Sequence, residues 1–164
     1  MKSKFFIVLW LVSAISLLAL LLYQPGETGD ILRTPIYDEK ADASQLITSA
    51  LVMAKKENKR VLLQFGANWC VWCHVLHHLF ESNRVIRKEI QLNYIAVLVD
   101  VNHGHNESTV EKYGQPTQLG LPVIVVLDSD GKQLVTQSVG EFGEDGGYSP
   151  KKVLAFLEAW ALGK

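Results

Sequence analysis

Three short apolar runs constrain this chain more than anything else in it. VLLQF (61–65), YIAVLVDV (94–101) and PVIVVLD (122–128) are rich in β-branched residues and too short for buried helices. Near-continuous apolarity suits a strand covered on both faces, because neither side of it meets water. The segments between are helical in pattern. After Asp42, a capping residue, Leu46, Ile47, Ala50, Leu51 and Ala54 recur at helical spacing until the polar KKENKR. A second helix is expected from about Val71 to Phe80, with Trp72, Val75, Leu76, Leu79 and Phe80 on its apolar side. Ser82 or Asn83 caps a third helix, and ESTVEKYG supplies a short fourth. Pro150 opens a last one bearing Val153, Leu154, Leu157 and Trp160 on one face. The turn DSDGK joins the third strand to KQLVTQSV as an antiparallel hairpin. A right-handed crossover makes the first two strands parallel. The order predicts an α/β chain folded as a three-layer α/β/α sandwich on a mixed sheet.

The chain has 164 residues, the length of one domain plus an appendage. The appendage is MKSKFFIVLWLVSAISLLALLLY, residues 1–23. Lys2 and Lys4 precede an uncharged run from Phe5 to Leu22. At about 1.5 Å per residue that run gives about 27 Å of helix, close to the thickness of a bilayer's hydrocarbon core. It is expected to be a single transmembrane anchor with its lysines in the cytoplasm and the rest of the chain extracytoplasmic, in the periplasm. The alternative is a cleaved signal peptide, but no small-x-small site follows the run. Both readings export the domain. Residues 24–40, rich in Pro, Gly and charge, are expected to be a linker, with a short edge strand near Ile36 and Tyr37. Residues 41–164 form the folded domain. A net charge of −1 with scattered Lys and Arg leaves no footprint for nucleic acid.

The chain has two cysteines, Cys70 and Cys73, in the stretch WCVWCH. Outside the cytoplasm proteins commonly brace their folds with several disulfides. A single bridge across two residues closes too small a loop to constrain the unfolded chain, so this pair is there to react. Cys70 follows a buried strand and a tight turn, which places it at a helix N-terminus. Unpaired amides and the helix dipole favour a thiolate there. Cys73 lies one turn further on the same face. Cys70 is therefore expected to be the exposed nucleophile and Cys73 the shielded resolving thiol.

VLLQFGANWCVWCH, FESNRVIRKEIQLNYIAVLVDV and GLPVIVVLDSDGK together resemble the thioredoxin family over residues 42–162. The second of these segments is similar to exported thioredoxin-like domains such as the reducing domain of thiol:disulfide interchange proteins. The resemblance implies a thiol–disulfide oxidoreductase acting on protein substrates through Cys70 and Cys73, with no bound cofactor. It implies a cis Pro122 beside Cys70, with the backbone of Leu121 offered to an extended substrate strand. Trp69 would pack over the active site. A reductant outside the cytoplasm would draw electrons from a membrane partner, with cytochrome c maturation or disulfide repair as the setting.

The chain departs from the family pattern at several places. Val71 and Trp72 stand between the cysteines, where Gly-Pro is common, leaving the direction of electron flow open. Trp72 is either a substrate-facing lid or core. Gln64 occupies the place of a buried carboxylate six residues before the first cysteine and cannot accept the resolving thiol's proton. Water or a histidine would have to stand in. His74, four residues after Cys70, either steadies its thiolate or is an ordinary helix histidine. His77 and His78 read as polar-face residues, and His103 and His105 as loop surface.

Two other chemistries use the same residues. Copper delivery would recruit Cys70, Cys73, His74 or His77, and the loop pair His103 and His105. Cys-x-x-Cys-His also matches covalent c-type haem attachment, with His74 as proximal ligand. Met53, the only methionine beyond the initiator, sits on the helix before the first strand, poorly placed as a distal ligand.

Overall fold

A computed structural model describes residues 34–163. The expected anchor and the start of the linker lie outside the described residues. Helix α1 (Ala43–Glu57) starts where the sequence places its cap. The Asp42 carboxylate accepts from the backbone N–H of Ser44 at 2.8 Å and of Gln45 at 3.3 Å, satisfying two otherwise unpaired donors. Strand β1 (Arg60–Gly66) leads through a tight turn into α2 (Val71–Ser82). Asn83 then caps α3 (Arg84–Asn93), accepting from Val85 and Ile86 N–H. Strand β2 (Tyr94–Asp100), a 3-10 turn at Asn102–Gly104 and α4 (Glu107–Lys112) follow. The chain closes through β3 (Val123–Leu127), β4 (Gln133–Ser138), a small hairpin of β5 (Gly143–Glu144) and β6 (Gly147–Tyr148), and α5 (Pro150–Trp160).

The main sheet has the order β2-β1-β3-β4, with β1 and β2 parallel and the other neighbours antiparallel. Alternation along β1 assigns its two faces. Val61, Leu63 and Phe65 pack with Ile47, Ala50 and Ala54 of α1. Leu62 packs on the other side with Leu76, Phe80, Val153 and Leu157 from α2 and α5. Helices thus cover both faces, the three-layer arrangement expected. Truncating a wholly buried side chain such as Leu63 to alanine costs about 2–5 kcal/mol. Gly131 (φ +86°) makes the β3–β4 turn, using a left-handed conformation open to glycine.

Two local expectations differ from what is found. Leu46 is exposed on the rim of α1, because the buried stripe is completed by Ala43, Ile47, Ala50 and Ala54. Ile36 and Tyr37 form no edge strand. Their amides are taken instead by one side chain, Asn68 Oδ1, at 2.9 Å each. Asn68 Nδ2 donates back to the Tyr37 carbonyl and to Glu39, each at 3.0 Å. Residues 36–39 are thereby fastened to the turn that precedes Cys70. The β5–β6 hairpin carries no signal in the sequence beyond a scatter of glycines.

Candidate active site

Cys70 is the N-cap of α2, with an extended backbone (φ −82°, ψ 100°) and its sulfur accepting from Cys73 N–H at 3.2 Å. One turn on, Cys73 is joined to it by a disulfide, the Cα atoms 5.2 Å apart. The strand-turn-helix sequence dictates this: β1 delivers the chain to the end of the sheet, and the helix starts with its free amides at the sulfur. Cys73 is fully buried, and Cys70 keeps 6% of its surface. The order of accessibility is as expected, but Cys70 is less open than an exposed nucleophile. In the disulfide its sulfur faces Cys73 and the helix amide, and little of it is left to solvent.

The Leu121–Pro122 peptide is cis, as the resemblance implies. Leu121 is half-buried and packs against the cluster of Tyr37, Cys70 and Cys73. Among the described residues its amide and carbonyl have no hydrogen-bond partner. Beside them runs a groove of about 320 Å³, walled by Trp72, Leu119, Leu121, Pro122, Val139 and Tyr148. It is mostly apolar, with a free backbone donor and acceptor at one edge. Trp72 is 46% exposed on the groove side, so it lines a surface rather than filling the core. Trp69 is 66% exposed, and its indole Nε1–H donates to Asn102 Oδ1 at 2.9 Å, which holds the ring beside the cysteines' turn.

His74 is an ordinary hydrogen-bonded helix histidine, the second of the two roles expected for it. It is 2% exposed, and its Nε2–H donates to the Asn68 carbonyl at 2.8 Å. No hydrogen bond joins it to either sulfur among the described residues, and its Nδ1 is buried without a partner. It braces the turn before Cys70, because a histidine at this place in α2 faces back over that turn. Gln64 is buried too, its Nε2 donating to Tyr37 Oη at 2.7 Å and to the Cys73 carbonyl at 3.3 Å. His77 is half-buried in a second cavity, of about 270 Å³, that Gln64 also lines. Burial holds its imidazole below the ordinary histidine range, Glu81 opposing this in part. His78 is exposed near Ser82.

The two histidines of the loop after β2 differ in their surroundings. His103 is exposed at a positive φ of 50°, and His105 Nδ1 pairs with the buried Asp100 carboxylate at 3.0 Å. Among the described residues no three His, Cys, Asp or Glu side chains converge on a point where a metal ion would sit. Both sulfurs are in the disulfide and His74 Nε2 is committed to a carbonyl. The arrangement suits thiol–disulfide exchange.

The residues that sequence reasoning missed are Tyr37, Gly66 and Asn68. Gly66 carried a signal, since a glycine ending a buried strand often marks close backbone approach. A Cβ there would lie 2.6 Å from Cys73 Sγ, and closer still to Tyr37 Oη.

Comparison with known proteins agrees with this geometry. A family model described as thioredoxin-like matches residues 42–129. The thiol:disulfide interchange protein DsbD of Yersinia pestis (strain Pestoides F) is 28% identical over 92 residues, covering 56% of this chain and 15% of that protein. The chain thus spans a small part of the length of the curated relatives it matches. A crystal structure of a disulphide isomerase from Xylella fastidiosa Temecula1 superposes with a TM-score of 0.68 at 35% identity, covering 76% of this chain and 95% of that one. The oxidised C-terminal domain of DsbD from Neisseria meningitidis shares the fold, with a TM-score of 0.53, 21% identity, and 73% and 96% coverage.

Proposed function

The chain belongs to the thioredoxin-like family as a thiol–disulfide oxidoreductase with the pair Cys70–Cys73, and from that premise we propose that it is membrane-tethered and exchanges disulfides with extracytoplasmic proteins. The observation that carries the exchange chemistry is the Cys70–Cys73 disulfide at the first turn of α2, beside the cis Leu121–Pro122 bond. In this reading Cys70 attacks a substrate disulfide, or yields to a substrate thiol, and Cys73 resolves the mixed disulfide. The substrate lies extended along the groove, pairing with the free backbone of Leu121 and resting apolar side chains on Trp72 and Tyr148.

The location rests on the N-terminal sequence. Lys2, Lys4 and the apolar run after them act as an uncleaved anchor, 24–40 as the connection, and 41–164 as the working domain. Electrons come from a membrane partner, since no soluble thiol pool reaches that compartment. Cytochrome c maturation or disulfide repair is the setting, by analogy with interchange proteins.

The test is a redox titration of the chain in glutathione buffers, together with a trapping experiment. Wild type shows a reversible two-electron transition that Cys70→Ser abolishes. Cys73→Ser accumulates a mixed disulfide through Cys70. A chain whose cysteines show no such transition has no exchange activity, and the proposal falls. Fractionation of cells with protease added to spheroplasts checks the topology: full protection of the domain contradicts export.

A further inference from the structure

Exchange at Cys70 leaves the proton of Cys73 unassigned. Cys73 must become a thiolate while fully buried, and burial alone disfavours that charge. Gln64, on the neighbouring strand, can neither take the proton nor carry a charge. Its geometry gives it another task. The Gln64 amide N–H donates to Tyr37 Oη at 2.7 Å, which fills a lone pair and leaves the hydroxyl hydrogen free to point elsewhere.

Tyr37 is 3% exposed and packs in one cluster with Cys70 and Cys73. Its oxygen and the Cys73 sulfur flank the same small space, the one a Gly66 Cβ would fill. Burial pushes the Tyr37 phenol well above its ordinary range, with Gln64 opposing and the charges of Asp100 and Tyr148 adding to the rise. A phenol kept protonated is a donor and not a base.

We propose that the Tyr37 O–H, aimed by Gln64, is the hydrogen-bond donor that stabilises the Cys73 thiolate during resolution. The role rests on the exchange reading above. In the step, Cys73 Sγ attacks Cys70 Sγ of the mixed disulfide. The Cys70–Cys73 bond forms and the bond from Cys70 to the substrate sulfur breaks. Two electrons leave with the substrate thiolate, which takes a proton from water. The proton that Cys73 lost passes to solvent, and Tyr37 keeps its own. Asp100 from β2 and Tyr148 from the hairpin act on the Tyr37 phenol, and His74 follows Cys73 directly on α2 with its Nε2 taken by the Asn68 carbonyl. None of these three is a lysine or arginine, and the Tyr37 hydroxyl is a neutral donor packed in one cluster with the buried sulfur.

The test follows Cys70 and Cys73 separately by NMR in the full reduced chain labelled with 13Cβ-cysteine, with no substrate present. Tyr37→Phe keeps the ring and removes the donor. It should move the Cys73 titration upward, lowering its thiolate population at pH 7 about tenfold, within the strength of one hydrogen bond to a charged group. Resolution of the Cys70–glutathione mixed disulfide, formed by rapid mixing with oxidised glutathione, should slow by the same factor, and the deficit should close at high pH. A Cys73 titration unmoved in Tyr37→Phe overturns the role. Should that variant fail to fold, Gln64→Met keeps Tyr37 and removes the aiming bond, together with the longer contact from Gln64 Nε2 to the Cys73 carbonyl. It should shift Cys73 in the same direction by less, and no shift overturns the proposal. A wild type with no reversible transition sinks the exchange reading itself. A normal transition with an unmoved Cys73 sinks the role of Tyr37 alone.

Discussion

Trp72 meets Tyr148 edge-on, the ring centroids 5.5 Å apart and the planes at 67°. The contact ties the helix that bears both cysteines to the Gly143–Tyr148 hairpin, and the two rings form one wall of the groove beside Pro122. Edge-to-face pairs of this kind contribute about 0.5–1.5 kcal/mol beyond their buried area. Burial pushes the Tyr148 phenol up to about 12, so the wall stays uncharged at any physiological pH.

Replacing Trp72 with alanine removes the larger half of that wall. The second-order rate of mixed-disulfide formation with an apolar cysteine peptide should fall about tenfold, in line with the loss of one aromatic anchor. Stopped-flow tryptophan fluorescence is confounded by the substitution, so quenched samples resolved by mass are the suitable readout. An unchanged rate would mean that substrate does not use this groove.

Gly66→Ala places a methyl group against Cys73 Sγ and Tyr37 Oη, both held in a packed interior. Overpacking at such a place costs about 1–3 kcal/mol. The urea midpoint of the oxidised protein should drop accordingly. A midpoint equal to wild type would show that the phenol and sulfur can give way.

Asn68→Ala deletes the side chain that accepts from the Ile36 and Tyr37 amides and donates to the Tyr37 carbonyl and Glu39. A loss of about 2 kcal/mol is expected, several partly buried hydrogen bonds being offset by new ones to water. Hydrogen exchange should quicken at Ile36 and Tyr37 while β1 stays protected. Equal exchange at 36–37 in the two proteins would contradict the fastening.

His77 gives the fold an acid-sensitive element. Burial lowers its folded-state affinity for protons below that of the unfolded chain, for which the reference value is about 6.5. Below that pH the unfolded state binds more protons, so stability falls as pH drops through the window down to the folded value. His77→Gln should flatten the decline of Tm below pH 6.5 and leave Tm above pH 7.5 nearly unchanged. A decline as steep as in wild type would show that other groups set the acid limb.

Much of this molecule is decided locally, and that part was legible in the sequence. The strands follow from short β-branched apolar runs, α1 from Asp42 and its apolar period, and the placing of Cys70 at a helix N-terminus from strand, turn and helix in succession. Tertiary structure alone decided what surrounds the sulfurs. Tyr37 reaches Cys73 from a segment with no periodicity, because Asn68 captures its backbone across 31 residues of chain. His74 turned inward to a carbonyl, and Trp72 found Tyr148 on an unforeseen hairpin. The physical reason is one of range. Propensity and amphipathic period act between residues a few places apart, whereas burial and hydrogen-bond pairing depend on which distant groups the fold brings together.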